Sequence, residues 1–151
     1  MGKRLLVTGF GGFVAGSVVK QAGADWDVIA LSRSRITIGQ EDITHRQFDL
    51  RETGRLQQVF QEVQPTAVIH TAASANIDHC QSHQEEAETI NVGVTGQLAK
   101  LCREHGARMV FCSTDTVFDG TQGMYSEDDA PRPLNYYAET KVRAEQIVQA
   151  E

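Results

Sequence analysis

Tyr137 and Lys141 stand four residues apart in the stretch LNYYAETK. If this stretch is helical, the phenol and the ammonium lie one above the other on the same face. A lysine ammonium one turn away stabilises a tyrosine phenolate and lowers the tyrosine pKa from its ordinary value of about 10, which would allow proton transfer at neutral pH. The same spacing also occurs between ordinary residues on a solvated helix face, so the rest of the chain must decide between these interpretations.

Glycines at short, regular intervals follow the first apolar run, in TGFGGFVAG at residues 8–16. Gly9 and Gly12 are three residues apart, and Ala15 follows after the same interval. Glycine allows a tight turn and lets a ligand come close to the backbone, and a helix that begins there directs its free N–H groups at a pyrophosphate. Because the turn lies between an apparent strand and a helix, the pattern predicts nucleotide binding rather than a purely structural turn.

The second and third predicted strands end in residues that could bind the adenosine part of such a ligand. The second ends in LSRSR at residues 31–35, with no acid before Glu41 to bind the ribose 2′-hydroxyl of NAD. Arg33 suits the 2′-phosphate of NADP, so NADP(H) is favoured and NAD(H) is the alternative; the arginines are otherwise exposed loop residues. At the third strand's end, Asp49 could accept a hydrogen bond from the adenine amine, with Leu50 against the ring.

Short apolar runs alternate with longer helical segments along the chain. The runs predicted as strands are 4–9, 27–32, 46–50, 66–72 and 108–113, and the predicted helices are 12–22, 53–63, 84–105 and 136–150. This alternation predicts βαβ units with right-handed crossovers, and therefore an α/β fold with a doubly wound parallel sheet of the Rossmann type, about five strands wide. The irregular stretch 114–135 follows the fifth strand, at the edge where such sheets bind ligands.

Composition excludes several classes of protein. The 151 residues suffice for one domain, and 14 basic against 20 acidic side chains give a net charge of -6. That charge argues against a general nucleic-acid binder or a protein that binds anionic membranes. Three cysteines without C-x-x-C spacing fit reduced thiols in the cytoplasm. No apolar stretch reaches membrane-spanning length.

Taken together, the motifs resemble the extended short-chain dehydrogenase/reductase superfamily and, within it, the dTDP-4-dehydrorhamnose reductase (RmlD-like) branch. The resemblance covers essentially the whole chain and rests on the glycine turn, Asp49-Leu50, His70-Thr71-Ala72-Ala73, STDTVFDG at 113–120 and PLNYYAETK at 133–141. Three departures are visible: Ala15 replaces a third glycine, Tyr136-Tyr137-Ala138 replaces the commoner x-Tyr-Gly, and His70-Thr71 stands where Asn-Ala is frequent.

The resemblance implies the roles of individual residues. Tyr137, supported by Lys141, would protonate a keto oxygen held by Thr114, while hydride moves from the nicotinamide to the keto carbon. The residues implied in cofactor binding are Gly9, Phe10, Gly12, Phe13, Val14, Arg33, Asp49, Leu50, Ala72, Ala73, Tyr137 and Lys141. The expected activity is NADP(H)-dependent reduction of a 4-keto sugar nucleotide, in deoxysugar and cell-surface polysaccharide synthesis. A homodimer formed through the helix 84–105 is expected by analogy.

Two other functions remain open. The same family pattern occurs in a non-catalytic regulatory subunit of methionine adenosyltransferase, and an intact Tyr137/Lys141 pair does not exclude that role. A sugar-nucleotide epimerase or dehydratase of the same superfamily is the other alternative, although STDTVFDG argues against it.

A metal site is also conceivable, because His79, Cys80 and His83 would place two imidazoles one turn apart on a helix. No third ligand stands at matching spacing, so exposed or loop histidines, and no bound metal, are expected.

Enzymes of this family continue beyond the point that corresponds to Glu151, with a region that forms much of the substrate pocket. Residues 1–151 are therefore expected to form an incomplete NAD(P)-binding domain whose fifth strand lies at an unprotected edge. We expect this chain by itself to bind a nicotinamide nucleotide weakly and to turn over little substrate.

Overall fold

The computed structural model describes residues 2–22, 25–36 and 43–151. Its five strands form one parallel sheet in the order β3-β2-β1-β4-β5. The strands are β1 (Arg4–Thr8), β2 (Asp27–Ser32), β3 (Ile43–Gln47), β4 (Ala67–His70) and β5 (Arg108–Phe111). The chain reverses its direction of winding between β1 and β4, which confirms the predicted Rossmann-type sheet.

Helices follow the strands on both faces of the sheet. They are α1 (Phe13–Ala22), α2 (Thr53–Val63), α3 (Ile77–Ser82), α4 (Gln84–Glu88), α5 (Val94–His105) and α6 (Tyr136–Ala150), with a π turn at Thr89–Gly93 and a 3-10 turn at Asp115–Val117. The predicted helix 84–105 is thus α4 and α5 joined through the π turn. No helix among the described residues is long and apolar enough to cross a membrane.

Each face of the sheet has its own core, because every strand residue points to one face or the other. On one face, the apolar sides of α2 and α5 pack over Leu6, Ile29 and Val68. On the other, α1 packs through Ala15 and Val19 against β1 and β2. The two cores hold β1 and β4 at the centre, and this fixes the edge of the sheet where both strands end.

The sequence placed the third strand at 46–50, and this was wrong by three residues. The observed β3 pairs Val28 with Ile43 and Ser32 with Gln47. Phe48 is buried, but it lies just after the strand, where its backbone N–H donates to the Ser32 oxygen at 3.0 Å. β3 lies at the sheet edge, where polar residues are tolerated. The prediction was shifted towards the C-terminus because it followed the apolar Phe48 rather than the polar residues of β3.

β5 lies at the other edge of the sheet. Within the described part of the chain it pairs with β4 alone. Its Val110 side chain is 51% exposed. Among the described residues β5 is therefore an edge strand.

Candidate functional site

The glycine turn lies directly against the end of β4. Gly9 has φ +76°, and a Cβ built there would lie 2.6 Å from Thr71 Oγ1 and 2.8 Å from the Ala72 nitrogen. Both the dihedral angle and the close approach exclude a side chain at this position. The Gly12 N–H donates to the Gly9 oxygen at 3.0 Å and closes the turn at the start of α1.

An open cleft of about 850 Å³ lies above this turn, at the carboxyl ends of the strands. Eight residues implied in cofactor binding line it: Gly9, Phe10, Gly12, Arg33, Asp49, Leu50, Ala72 and Ala73. Phe13 and Val14 begin α1 and are 89% and 46% exposed, outside the lining. The cleft therefore brings together strand-end residues that are far apart in sequence. Glu41, which entered the comparison of NAD with NADP, lies outside the described residues.

Asp49 is held by Arg51, a residue that the sequence analysis did not select. The Arg51 backbone N–H and Nε both donate to Asp49 Oδ1 at 3.0 Å, and a terminal nitrogen donates to Oδ2 at 2.7 Å. These hydrogen bonds from Arg51, with a smaller contribution from the charge of Arg33, lower the Asp49 pKa to about 2. Asp49 is therefore a carboxylate at neutral pH, and Arg51 adds a second cation to the cleft lining. In the sequence, a basic residue two positions after the acid that ends a predicted strand could have identified Arg51.

Of the two histidines of the possible metal site, His79 lies at another wall of the cleft and His83 is exposed outside its lining. Asn76 caps α3 by accepting a hydrogen bond from the His79 N–H at 2.8 Å, so His79 is helical, whereas His83 follows the helix and is exposed, as expected. His79 contacts Glu86 at 2.9 Å and stacks on His83 with ring centroids 4.3 Å apart. Among the described residues, no group of three or more His, Cys, Asp or Glu side chains is arranged to hold a metal ion.

The predicted pair Tyr137/Lys141 lies in α6, which begins after Asn135. The Asn135 side chain accepts a hydrogen bond from the Ala138 N–H at 2.9 Å and so places Tyr137 in the first turn. Lys141 is only 3% exposed. Its Nζ donates to the Cys112 oxygen at 2.7 Å, after the end of β5, and lies 4.0 Å from the centre of the Phe111 ring.

The electrostatics of this pair differ from the prediction. Burial lowers the pKa of Lys141 to about 8. Burial also raises the pKa of Tyr137, whereas the sequence analysis expected Lys141 to lower it. The physical reason is that the ammonium is directed at the Cys112 oxygen and the Phe111 ring, so the loss of hydration dominates for the phenol.

Thr114 lies beside the Tyr137 phenol, where its hydroxyl acts in the opposite direction and favours a lower Tyr137 pKa. It also caps the 3-10 turn, because its Oγ1 accepts from the Thr116 N–H at 3.3 Å. The neighbouring Ser113 donates to Glu145 on α6 instead. Of the hydroxyls after β5, the structure therefore brings Thr114 to the tyrosine. Neither Thr114, Tyr137 nor Lys141 lines the open cleft itself.

Asn91 connects the cleft to α6, and the sequence analysis did not identify it. It lies in the π turn and is 2% exposed. Its Oδ1 accepts from the Ser74 N–H at 2.8 Å, and its Nδ2 donates to the Ser74 oxygen and to Thr140 Oγ1, both at 3.0 Å. An asparagine on the apolar side of a predicted helix was the signal that could have revealed it.

The chain is similar to known proteins in both sequence and structure. The chain is 33% identical over 147 residues to the methionine adenosyltransferase 2 subunit beta of Rattus norvegicus, covering 97% of this chain and 42% of that protein. Its structure is similar to dTDP-4-dehydrorhamnose reductase from Bacillus anthracis in complex with NADP, with a TM-score of 0.86 and 27% identity over 99% of this chain and 50% of that one. It is equally similar to MoeE5 in complex with UDP-glucose and NAD, with a TM-score of 0.86 and 30% identity over 97% of this chain and 48% of that one.

This chain therefore spans about half the length of the proteins that it matches. A family model matches residues 3–151, nearly all of the chain, and its family is described as the RmlD substrate binding domain. With the parallel sheet, the glycine turn and the Tyr137/Lys141 pair in the order that the resemblance implied, the chain belongs to the RmlD substrate binding domain family.

Proposed function

We infer that the chain supplies the cofactor-binding and proton-donating part of a sugar-nucleotide 4-ketoreductase, with NADP(H) as the preferred cofactor. The observation that carries this proposal is that one edge of the sheet holds both the glycine-lined cleft and the Tyr137/Thr114 pair. The similarity to reductase and sugar-nucleotide complexes with NADP and NAD supports it. The reaction would belong to deoxysugar and cell-surface polysaccharide synthesis in the cytoplasm.

The cleft fits a dinucleotide. Gly9, Gly11 and Gly12 line it without side chains, so a pyrophosphate can come close to the backbone of the turn. Arg33 and Arg51 supply positive charge at the far end of the same cleft, suited to the adenosine phosphate. Asp49 keeps acceptor capacity for an adenine amine because its two oxygens have more lone pairs than Arg51 uses.

A bound nicotinamide would supply the hydride. The protein's part is to deliver a proton to the substrate oxygen, and Tyr137 is suited to donate it because burial keeps the phenol protonated at neutral pH. Thr114 would share its hydroxyl with the same oxygen. Lys141 is fixed by Cys112 and places its positive charge in the interior of the site.

A second function is supported by different observations. The chain resembles a methionine adenosyltransferase beta subunit over 97% of its length. Its Lys141 ammonium contacts a backbone carbonyl, and the pKa of Tyr137 is raised. Both facts are compatible with a binding module in which the nucleotide has a structural role and the tyrosine transfers no proton.

Calorimetric titration with NADPH and with NADH tests cofactor binding. We expect NADPH to bind more tightly, and Arg33→Gln to reduce NADPH affinity about tenfold while NADH affinity changes little, since one charge-assisted phosphate contact is worth about 1.4 kcal/mol. Arg35→Gln is the matched control, because Arg35 is exposed and does not line the cleft. Equal affinities for NADPH and NADH in the unaltered chain would contradict the cofactor preference.

The two functions are separated by an activity measurement on the full-length protein, because residues 1–151 span only about half the length of the relatives. A reductase oxidises NADPH when dTDP-4-dehydrorhamnose is added, and Tyr137→Phe abolishes this oxidation. A regulatory subunit oxidises no NADPH but changes the rate of a methionine adenosyltransferase catalytic subunit, and Tyr137→Phe leaves that change intact.

A further inference from the structure

Buried polar residues form a path from the glycine turn to α6 that passes through the backbone of Asn91. The path runs through Thr8, His70, Thr95, Asn91 and Thr140, all at most 2% exposed. Its hydrogen bonds join the Thr8 hydroxyl to His70 Nδ1 at 2.6 Å, His70 Nε2 to Thr95 Oγ1 at 3.0 Å and Thr95 Oγ1 to the backbone oxygen of Asn91 at 2.6 Å. Beyond Asn91, its side-chain Nδ2 donates to Thr140 Oγ1 at 3.0 Å, and Thr140 Oγ1 donates to the backbone oxygen of Tyr137 at 2.6 Å. The path crosses from β1 through β4 and α5 to the helix that carries Tyr137.

The hydrogen atoms along this path can be assigned by elimination. Thr95 has one hydroxyl proton, which it donates to the backbone oxygen of Asn91. Its Oγ1 therefore accepts the hydrogen bond from His70 Nε2–H. Burial, reinforced by the charge of Lys141, lowers the pKa of His70 to about 3, so the imidazole is neutral and its Nδ1 is an acceptor. The Thr8 hydroxyl therefore donates to Nδ1. His70 is fixed as the Nε2–H tautomer.

The orientation of the Thr8 hydroxyl has a consequence at the cleft. Because the Thr8 hydroxyl donates its hydrogen bond to His70, its lone pairs face the amides of Thr71 and Ala72, whose nitrogens lie 3.2 and 3.3 Å away. Thr71 and Ala72 form the cleft wall that touches Gly9. The tautomer of His70 thus determines how this wall is held.

The other end of the path reaches Tyr137. Asn91 donates to Thr140, and the Thr140 hydroxyl donates to the backbone oxygen of Tyr137 in the first turn of α6. Every proton along the path points from the glycine turn towards this helix. The directions of the two halves are fixed separately, because Thr95 donates to the backbone oxygen of Asn91 whereas Ser74 orients the Asn91 side-chain amide. Reversing a link within either half leaves two donors or two acceptors facing each other in the interior, which is strongly disfavoured.

We propose that His70 is a positioning residue, which fixes the direction of the hydrogen bonds from Thr8 to the backbone of Asn91 and, through the position of Asn91, couples the wall of the nucleotide cleft to the helix that carries Tyr137. The inference rests on the proposed function only in that the cleft holds a nicotinamide dinucleotide. His70 touches no ligand in this role and acts through Thr8 and Thr95.

Nitrogen-15 NMR of the histidine side chains tests the tautomer directly. We expect His70 to show a protonated Nε2 and an unprotonated Nδ1 at neutral and mildly acidic pH. Thr95→Val removes the acceptor and should shift His70 away from this pure form. Val59→Ala, which opens a cavity in α2 away from the path, should leave the tautomer unchanged. An Nδ1–H or charged His70 in the unaltered chain would overturn the assignment, even if every variant failed to fold.

A pair of variants at the two ends of the path tests the coupling. Thr8→Val and Thr140→Val should each weaken NADPH binding about fivefold, and the double variant should be no weaker than either single variant, because removing one end already releases the path. Losses that multiply to about 25-fold, or no loss with Thr140→Val, would overturn the coupling.

A readout without cofactor separates this proposal from the proposed function. In a background where Tyr125 and Tyr136 are phenylalanine, Thr8→Val should shift the alkaline titration of Tyr137, followed by phenolate absorbance, whereas Val59→Ala should not. If the unaltered chain binds neither NADPH nor NADH while this shift is observed, the cofactor assignment fails and the coupling stands. If NADPH binds and Tyr137 titrates identically in both variants, the coupling fails and the cofactor assignment stands.

Discussion

The nucleotide cleft and the Tyr137/Lys141 centre lie at the same edge of the sheet but are built in opposite ways. The cleft is open, with an absent side chain at Gly9 and solvated charges at Arg33 and Arg51. In the Tyr137/Lys141 centre Tyr137 is half-buried, and Lys141 is 3% exposed, with its ammonium against a carbonyl and an aromatic ring.

The difference shows which forces shape each region. In the cleft, backbone geometry excludes a side chain at Gly9. The Asp49–Arg51 ion pair stays in contact with water, and the largest influence on the Asp49 pKa is its direct hydrogen bonding to Arg51. In the Tyr137/Lys141 centre, loss of hydration is the largest influence on both groups. We therefore expect steric changes to dominate in the cleft and changes of hydration to dominate in the centre.

Gly9→Ala should have the largest effect of any single change in the cleft. It combines a positive φ with a collision against Thr71 and Ala72, so we expect the free energy of unfolding to fall by about 2–4 kcal/mol and NADPH binding to be lost. Urea denaturation and calorimetry measure the two effects.

Gly106→Ala is the matched control for this change. Gly106 also has a positive φ, of +66°, but no atom lies within 4 Å of its Cβ position. It should lower the free energy of unfolding by only about 1 kcal/mol and leave NADPH binding unchanged. Equal losses of stability in the two variants would show that the contacts with Thr71 and Ala72 add nothing to the cost of a side chain at Gly9. Steric exclusion would then not distinguish the cleft from the rest of the chain.

Lys141→Met tests the role of hydration in the Tyr137/Lys141 centre. The lysine pKa is 10.5 when unfolded and about 8 when folded, so between these values the unfolded chain binds more protons. Stability should therefore rise with pH, by about 2 kcal/mol from pH 8 to pH 10, and the variant should lack this rise. The measurement is the free energy of unfolding of both proteins at each pH. A parallel pH dependence in the two would mean that Lys141 is well hydrated in the folded chain.

Asp49→Asn should have a smaller effect, because the Asp49–Arg51 pair is partly exposed, at 26% and 41%. The folded pKa of Asp49, about 2, lies below the unfolded 3.8, so its stabilisation is present above pH 4 and is lost as the pH falls towards 2. We expect a loss of about 0.5–1 kcal/mol at neutral pH that disappears in acid. Glu104→Gln, on an exposed helical pair with a 3.9 Å separation, should show no such change. A loss as large as that for Gly9→Ala would contradict a solvated cleft.

Thr114→Val should cause the smallest change, a further rise in the pKa of Tyr137, because it removes a hydroxyl that favours the phenolate. The measurement is phenolate absorbance at alkaline pH in a background where Tyr125 and Tyr136 are phenylalanine, so that Tyr137 alone titrates. Thr44→Val, an exposed position in β3, is the control. A fall in the Tyr137 pKa would mean that Thr114 opposes the phenolate, against the proposed role.

Much of the fold could be predicted because its signals are local. The apolar runs and the glycine turn identify β1, α1 and the parallel sheet without any knowledge of contacts. β3 was misplaced because its residues are polar and its pairing with β2 is a long-range property. The helix α3 was missed because it is short and depends on the Asn76 cap rather than on an apolar stripe.

The candidate site divides in the same way. The amino-acid sequence determined that Gly9 and Arg33 meet at a ligand-binding edge and that Tyr137 and Lys141 share a helix, because strand order and helical periodicity follow from the pattern of residues. Only the tertiary structure decided that Lys141 faces the Cys112 oxygen, that Asn91 joins the cleft to α6 and that burial raises the pKa of Tyr137. Partners and hydration depend on residues that are distant in sequence and come together only when the chain packs.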